Sequence, residues 1–192
     1  MQGVRFPPGV AAIYEESRCE GFDLVSEPMT GCLLRTLVSS KPGGSFLELG
    51  TGTGAATAWI LDGMDSRSSP VTVESDERLL SIARRHLGAD PRVTFVAADG
   101  NVFLREVPRA CFDLIFADTW PGKYESLESA LGLLKQGGVY VIDDMDPQVT
   151  WPTGHEAKVG ALLGELMARP ELRVTKLSWA SGIVIATRAW DR

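Results

Sequence analysis

The sequence is short of cysteine, histidine, basic charge and long apolar runs, and each shortage removes a class of protein. Its three cysteines, Cys19, Cys32 and Cys111, are odd in number and widely spaced. That pattern excludes a disulfide framework and a cysteine zinc site, and it reads as reduced thiols used for packing. No stretch approaches the roughly 18 consecutive apolar residues of a membrane span. The N-terminus lacks a basic stretch followed by an apolar one, so no secretory signal is expected and a cytoplasmic location is predicted. Basic residues are outnumbered, 19 Lys and Arg against 25 Asp and Glu, for a formal net charge of -6. A chain this acidic has no global attraction for phosphate backbones, so nucleic acid is disfavoured as a partner. Repeats, low-complexity tracts and long linkers are missing as well. What is there is 192 residues, 44% apolar and 23% charged, which suits one soluble domain with one sizeable core.

Apolar periodicity and Gly/Pro punctuation divide the chain. Residues 9–20 and 28–39 read as helices, the second carrying Met29, Leu33, Leu34, Leu37 and Val38 at helical spacing. Lys41-Pro42-Gly43-Gly44 stops it. Strands are expected at 45–49, 71–74, 93–97, 112–117 and 139–142. Helices are expected between and after them at 55–61, 76–87, 100–106, 124–134 and 156–168. Residues 173–178 and 183–187 should close the chain as a hairpin. Alternating strands and helices predict an α/β, doubly wound, mostly parallel sheet of seven strands with an antiparallel C-terminal strand. Ligands in such sheets sit beyond the carboxyl ends of the strands.

The run Glu48-Leu49-Gly50-Thr51-Gly52-Thr53-Gly54 falls at one such end. Small residues there let a ligand approach backbone N–H groups and the start of a helix. Gly50-x-Gly52-x-x-Ala55 also fits a dinucleotide fingerprint, so the turn alone leaves two cofactors open. Glu48 favours S-adenosylmethionine: a carboxylate there can pair with the amino group of a methionine moiety, whereas a pyrophosphate would be repelled. Glu74, with Ser75 after it, ends the second strand, where an acid can accept both ribose hydroxyls of either cofactor. Ala98-Asp99-Gly100 ends the third strand. Asp99 can accept from an adenine amino group and the Gly100 amide can donate to the ring, although Asp99 also suits a helix cap.

Three more acids end strands: Asp118 the fourth, and Asp143 and Asp144 the fifth. Hard oxygen ligands of this kind suit Mg²⁺ or another divalent cation, which would orient an acceptor hydroxyl and lower its pKa. The plainer alternative is that these acids cap loops or bind the cofactor. His155 follows the loop around Trp151 and is the candidate general base, against a plain role as a helix-start residue. Trp120 and Trp151 lie on loops at the same face, where they can stack on an aromatic acceptor.

Residues 45–142 resemble a class I S-adenosylmethionine-dependent methyltransferase. Phe46 to Gly54 is similar to that family's first motif, and Glu74 and Asp99 to its ribose and adenine contacts. Leu133-Leu134-Lys135-Gln136-Gly137-Gly138-Val139 is similar to the turn before its fifth strand. The three aspartates resemble the cation-dependent O-methyltransferases of the catechol and caffeoyl-CoA type. That resemblance implies a Rossmann-like core at 45–192 under an N-terminal helical lid at 1–44, all one domain. It also implies cofactor contacts from Glu48, Gly50, Thr51, Gly52, Gly54, Glu74, Ser75, Ala98, Asp99, Gly100 and Asp118. It implies a metal at Asp118, Asp143 and Asp144, a small hydroxylated acceptor and a homodimer. Two departures stand out. The family's Asp-Asn pair is Asp143-Asp144 here. Pro121 occupies the place of its catalytic lysine, leaving Lys123 as the candidate replacement. The alternatives are a metal-independent methyltransferase, a binding protein that keeps the cofactor without turnover and, more distantly, a nicotinamide dehydrogenase.

Overall fold

The computed structural model describes residues 4–149 and 151–190. Two N-terminal helices, α1 (Val10–Cys19) and α2 (Pro28–Ser39), precede an alternating run. The run is β1 (Ser45–Leu49), α3 (Ala55–Gly63), β2 (Ser69–Glu74), α4 (Glu77–Leu87), β3 (Thr94–Ala97), α5 (Gly100–Glu106), β4 (Phe112–Ala117), α6 (Leu127–Gly132), β5 (Leu134–Ile142) and α7 (His155–Met167). The chain then forms β6 (Leu172–Leu177) and β7 (Ile183–Arg188). The seven strands lie in the order β3-β2-β1-β4-β5-β7-β6. β1 to β5 run parallel, and β7 inserts antiparallel between β5 and β6. The doubly wound, mostly parallel sheet predicted above is therefore present, with its antiparallel strand one place in from the edge.

The central strands read as near-continuous apolar runs because both faces of the sheet are covered. Successive side chains point to opposite faces. Phe46, Leu114, Phe116, Val141 and Ile183 pack on one side with Leu34 and Val38 of α2 and Ile60 of α3. Leu47, Ile115, Tyr140, Ile142 and Val184 pack on the other with Leu131, Leu162 and Leu166. A satellite cluster of Val10, Ile13, Ala55, Ala58 and Trp59 fixes α1 to α3.

The largest departures from the predicted boundaries lie around β5. The helix expected at 124–134 is only the six residues of α6, and β5 begins at Leu134 rather than Val139. Phe112 pairs with Leu134, yet Leu114 pairs with Val139, so residues between Leu134 and Val139 bulge out of the ladder. Gly137, at φ 72, takes the left-handed turn in that bulge. Leu134 is buried beside Phe112, so its apolar surface is used by the sheet and not by a longer helix.

Candidate functional site

The carboxyl ends of β1 to β5 meet along one edge, and the turn after β1 sits at its centre. Gly50, Gly52 and Gly54 have φ of 94, 53 and 96, the left-handed region that glycine enters without strain. Close approach is a second reason for glycine: a Cβ on Gly52 would lie 2.9 Å from the Phe22 ring, and one on Gly50 3.1 Å from the Asp118 carbonyl oxygen. The Gly50 and Thr51 amides both donate to the Val73 carbonyl, at 3.0 and 3.2 Å. The Gly52 amide donates to Glu74 Oε2 at 2.9 Å. The turn is thereby bound to the end of β2.

Two cavities flank it. The first, of about 180 Å³, is lined by Gly50 to Thr53, Glu74, Asp118, and Phe22, Leu24, Val25 and Ser26 of the link between α1 and α2. The second, of about 140 Å³, is lined by Gly50, Glu74, Ser75, Ala98, Asp99 and Gly100. Glu74 and Gly50 border both, so the two form one groove across the ends of β1, β2 and β3. Glu74 Oε1 also accepts from the Ser75 and Asp76 amides at 2.9 Å each. Of about four lone-pair positions on a carboxylate, one on Oε2 is left over by these three bonds, on a residue that borders both cavities. Asp99 does two things at once: its Oδ1 caps α5 through the Asn101 and Val102 amides, at 2.9 and 3.1 Å, while the residue lines the second cavity.

Glu48 is placed differently from the sequence expectation. It is 0% exposed, lines neither cavity, and lies beneath the turn. Its Oε2 accepts from Thr57 at 2.5 Å and Thr72 at 2.6 Å, tying α3 and β2 to β1. Its Oε1 has no hydrogen-bond partner among the described residues. Burial, opposed by the two threonine hydroxyls, pushes its carboxyl up from 4.5 to about 7. The folded form thus holds its proton more tightly than the unfolded form. The stabilisation is complete below about 4.5 and is lost as pH rises to about 7. The ionised carboxylate then costs about 3 kcal/mol. Glu48→Gln should therefore flatten this pH dependence, and its melting temperature relative to wild type should rise between pH 5 and pH 8. A constant difference across that range would contradict the assignment.

The three aspartates at the other end of the edge are brought near one another but not to one point. Asp118 is partly buried and its Oδ2 accepts from Ser26 at 2.9 Å. Asp143 is 2% exposed, and its Oδ1 accepts from the Ser181 hydroxyl and from the Asp144 amide. Asp144 is held at φ 56. Among the described residues no group of three His, Cys, Asp or Glu is disposed to hold a metal ion. A cation is nevertheless present: Lys123 is 5% exposed, and its Nζ donates to the Asp143 carbonyl at 2.8 Å. Burial, and then the Asp143 carboxylate, push Asp118 well above the usual range, while Lys123 pulls it down. Asp143 is raised chiefly by burial, with Ser181 and Lys123 opposing. The expected metal ligands are therefore not gathered around one point as they stand: one carboxylate is committed to Ser181, and Lys123 Nζ is held on the Asp143 backbone carbonyl, not on a carboxylate.

His155 joins none of these acids by a hydrogen bond. Its Nε2 meets the Tyr124 hydroxyl at 3.1 Å, and its buried Nδ1 has no partner among the described residues. Its ring lies 4.7 Å from Trp151, 5.2 Å from Tyr124 and 6.4 Å from Trp120. Burial, then Lys123 and Lys158, lower its pKa below 6.5, so the neutral ring prevails at pH 7. Trp120 and Trp151, expected at this face, cluster with Tyr124 around the His155 ring. The link Phe22–Val25 and the Ser181 anchor were not foreseen, since only the tertiary fold brings them to this edge.

A family model described as a methyltransferase domain matches residues 47–145, from β1 through the third aspartate. The chain belongs to this methyltransferase family. A Mycobacterium tuberculosis protein that carries the name O-methyltransferase is 28% identical over 147 residues, covering 74% of this chain and 60% of the relative. One of Mycobacterium marinum is 26% identical over 162 residues, covering 82% and 66%. This methyltransferase-family chain therefore spans about 60% of the length of the mycobacterial relatives first matched. Solved structures show the same fold. A Corynebacterium glutamicum protein superposes with a TM-score of 0.86 at 20% identity, covering 99% of this chain and 94% of its own. An O-methyltransferase of Bacillus cereus, in complex with S-adenosylhomocysteine, does so at 0.82 and 22%, covering 97% and 93%.

Proposed function

We propose that this chain transfers the methyl group of S-adenosylmethionine to a hydroxyl oxygen of a small acceptor. The groove bordered throughout by Glu74 carries this reading. One carboxylate with a free lone pair stands between a cavity on the glycine turn and a cavity on Ala98-Asp99-Gly100. Ribose on Glu74 then directs the adenine to Asp99 and Gly100 and the methionine to Gly50, Gly52 and Asp118. The curated relatives named as O-methyltransferases and the Bacillus cereus structure with S-adenosylhomocysteine support the same donor.

The donor methyl faces the edge where Asp118, Lys123, Tyr124, Trp120 and Trp151 gather. Aromatic walls there suit a small aromatic acceptor. The acceptor oxygen bonds to the methyl carbon as the sulfur–carbon bond breaks, the sulfonium becomes a neutral thioether, and the hydroxyl proton passes to a base. Neutral His155 is the candidate for that base. No step is routed through a divalent cation. Among the described residues no helix is long and apolar enough to cross a membrane, and a small molecule, not a lipid surface, is the acceptor in this reading. The action is cytoplasmic and the unit a homodimer, a state that light scattering would test.

Calorimetry with S-adenosylhomocysteine and a methyl-transfer assay over phenolic, aliphatic and amine acceptors test the proposal. Donor binding with turnover of a hydroxylated acceptor supports it. Donor binding with transfer to amines alone would shift it to another methyltransferase. Binding with no transfer at all would favour a protein that keeps the cofactor without turnover, and stabilisation by NAD but not by S-adenosylhomocysteine would reject it.

A further inference from the structure

Asn101 and Glu125 also line the second cavity, beside Asp99 and Gly100, and no motif marks either of them. They come from different elements, Asn101 from the first turn of α5 and Glu125 from the loop between β4 and α6. These two walls are pressed together: a Cβ on Gly100 would lie 2.8 Å from the Pro121 side chain. Pro121 pairs in turn with the Glu125 backbone, and the Gly122 amide donates to the Glu125 carbonyl at 2.7 Å. Across this contact Asn101 Nδ2 donates to Glu125 Oε2 at 2.7 Å, and the Ser126 hydroxyl donates to Asn101 Oδ1 at 2.7 Å.

This chain of bonds has one sense only. An ionised carboxylate accepts and does not donate, so the amide turns its NH₂ toward Glu125 and its oxygen toward Ser126. Ser126 is diverted to this role. It stands at the N-cap of α6, where a serine ordinarily accepts from the helix amides, yet its side chain makes no such bond and its backbone is held at φ 52. The ordered pair keeps unused capacity. Asn101 has a second N–H, and Glu125 Oε1 has no partner among the described residues. A donor and an acceptor are thus left over on two bonded residues that both border the cavity.

We propose that Asn101 and Glu125 read the edge of the adenine base, Glu125 accepting from its 6-amino group and Asn101 donating to a ring nitrogen beside it. The inference rests on the methyl-donor reading above and deepens it at the base. Adenine carries an amino donor next to a ring-nitrogen acceptor, and a side-chain acceptor and donor placed together match that edge. Asp99 does not make the pair redundant, since its Oδ1 already serves two amides at the start of α5. A base with a 6-oxo group sets an acceptor against the Glu125 carboxylate, so the pair selects against it. No bond is made or broken here; the two residues bind and select the donor.

Calorimetry compares S-adenosylhomocysteine with S-inosylhomocysteine, its 6-oxo counterpart, on wild type, Glu125→Gln and Asn101→Ala. Glu125 is exposed and Asn101 partly so, so both variants should fold, and thermal unfolding checks that. Wild type should bind the 6-oxo ligand about 100-fold more weakly, as two mismatched hydrogen bonds require. Glu125→Gln still accepts from Asn101 and can offer its own NH₂ to the 6-oxo group, so the ratio should narrow about tenfold. Asn101→Ala removes the ring contact and the tether on Glu125, and should weaken S-adenosylhomocysteine binding about tenfold. The ratio is the deciding quantity, because a merely structural role would lower both affinities together. A wild type that binds both ligands alike, an unchanged ratio in Glu125→Gln, or an Asn101→Ala affinity equal to that of wild type would overturn the inference. Failure of the underlying reading looks different: folded wild type would then bind neither ligand.

Discussion

Glu74→Ala should weaken S-adenosylhomocysteine binding by about 100-fold or more, while the protein remains folded. The carboxylate accepts backbone amides from Gly52, Ser75 and Asp76, and one position on Oε2 is left for a ribose hydroxyl. Hydrogen bonds to a charged acceptor contribute about 1.5–3 kcal/mol each. Losing the ribose contact and the Gly52 tether together costs at least two of them, and about 1.4 kcal/mol corresponds to tenfold in affinity. The Gly52 amide matters beyond its own bond, because it holds the left-handed turn against β2. Glu74→Gln keeps the shape and one strong acceptor, so its loss should be about tenfold. Glu74 is only partly buried at the end of β2, outside the core clusters. Glu74→Ala gives up three backbone hydrogen bonds, so its melting temperature should fall by several degrees, while that of Glu74→Gln should stay nearer wild type, and affinities are compared below both midpoints. Calorimetry with S-adenosylhomocysteine and thermal unfolding, read side by side, check both halves. An affinity within a few-fold of wild type in Glu74→Ala would remove Glu74 from the donor site.

The parts of this site that depend on local chain chemistry were readable from the sequence. Three glycines after an apolar strand specify a left-handed turn, and an acid one β–α–β unit later specifies the neighbouring strand end; Gly50, Gly52, Gly54 and Glu74 are where that logic places them. The mostly parallel, two-side-covered sheet follows as well, since buried parallel strands announce themselves as apolar runs. Glu48 shows the limit. Its position before the turn suggested a ligand contact, but which way it faces is decided by Thr57 on α3 and Thr72 on β2, and Thr72 is its partner only through the register of β1 and β2. Lys123 shows another: its offset of two residues from the expected place carries no signal in one dimension, and only the folded turn brings its Nζ to the Asp143 backbone carbonyl. The start of β5 was hidden because the four residues after Leu134 leave the ladder, which no period of two or 3.6 can signal. An N-terminal lid at 1–44 was expected, but not that the link Phe22–Val25 would be the part of it that reaches the turn. Phe22 to Val25 carry no motif and matter only because α1 and α2 bring them to the turn.

Trp59→Ala should destabilise the fold by about 3–5 kcal/mol, the range for removing a buried large aromatic side chain. Trp59 is fully buried on α3, within the cluster that includes Val10 and Ile13 of α1. Its indole N–H donates to the Tyr14 hydroxyl at 3.2 Å, the Arg35 guanidinium lies 5.0 Å above its ring, and Phe6 packs at 5.4 Å. Gly31 of α2 lies so close that a Cβ there would come within 2.3 Å of the ring. One side chain therefore joins α1, α2 and the segment before them to α3. The lost midpoint should be about 10 °C for a chain of this size. A second loss follows from connectivity. The link between α1 and α2 supplies Phe22, Leu24, Val25 and Ser26 to the first cavity, and Ser26 hydrogen-bonds to Asp118. Loosening both helices loosens that wall, so donor affinity should fall at temperatures where the core is still folded. Trp59→Phe, which keeps most of the volume but not the N–H, should recover most of the stability and nearly all of the donor affinity. If Trp59→Ala lost stability but bound S-adenosylhomocysteine as wild type does below its melting point, the N-terminal helices would be a brace for the sheet and not a wall of the donor site.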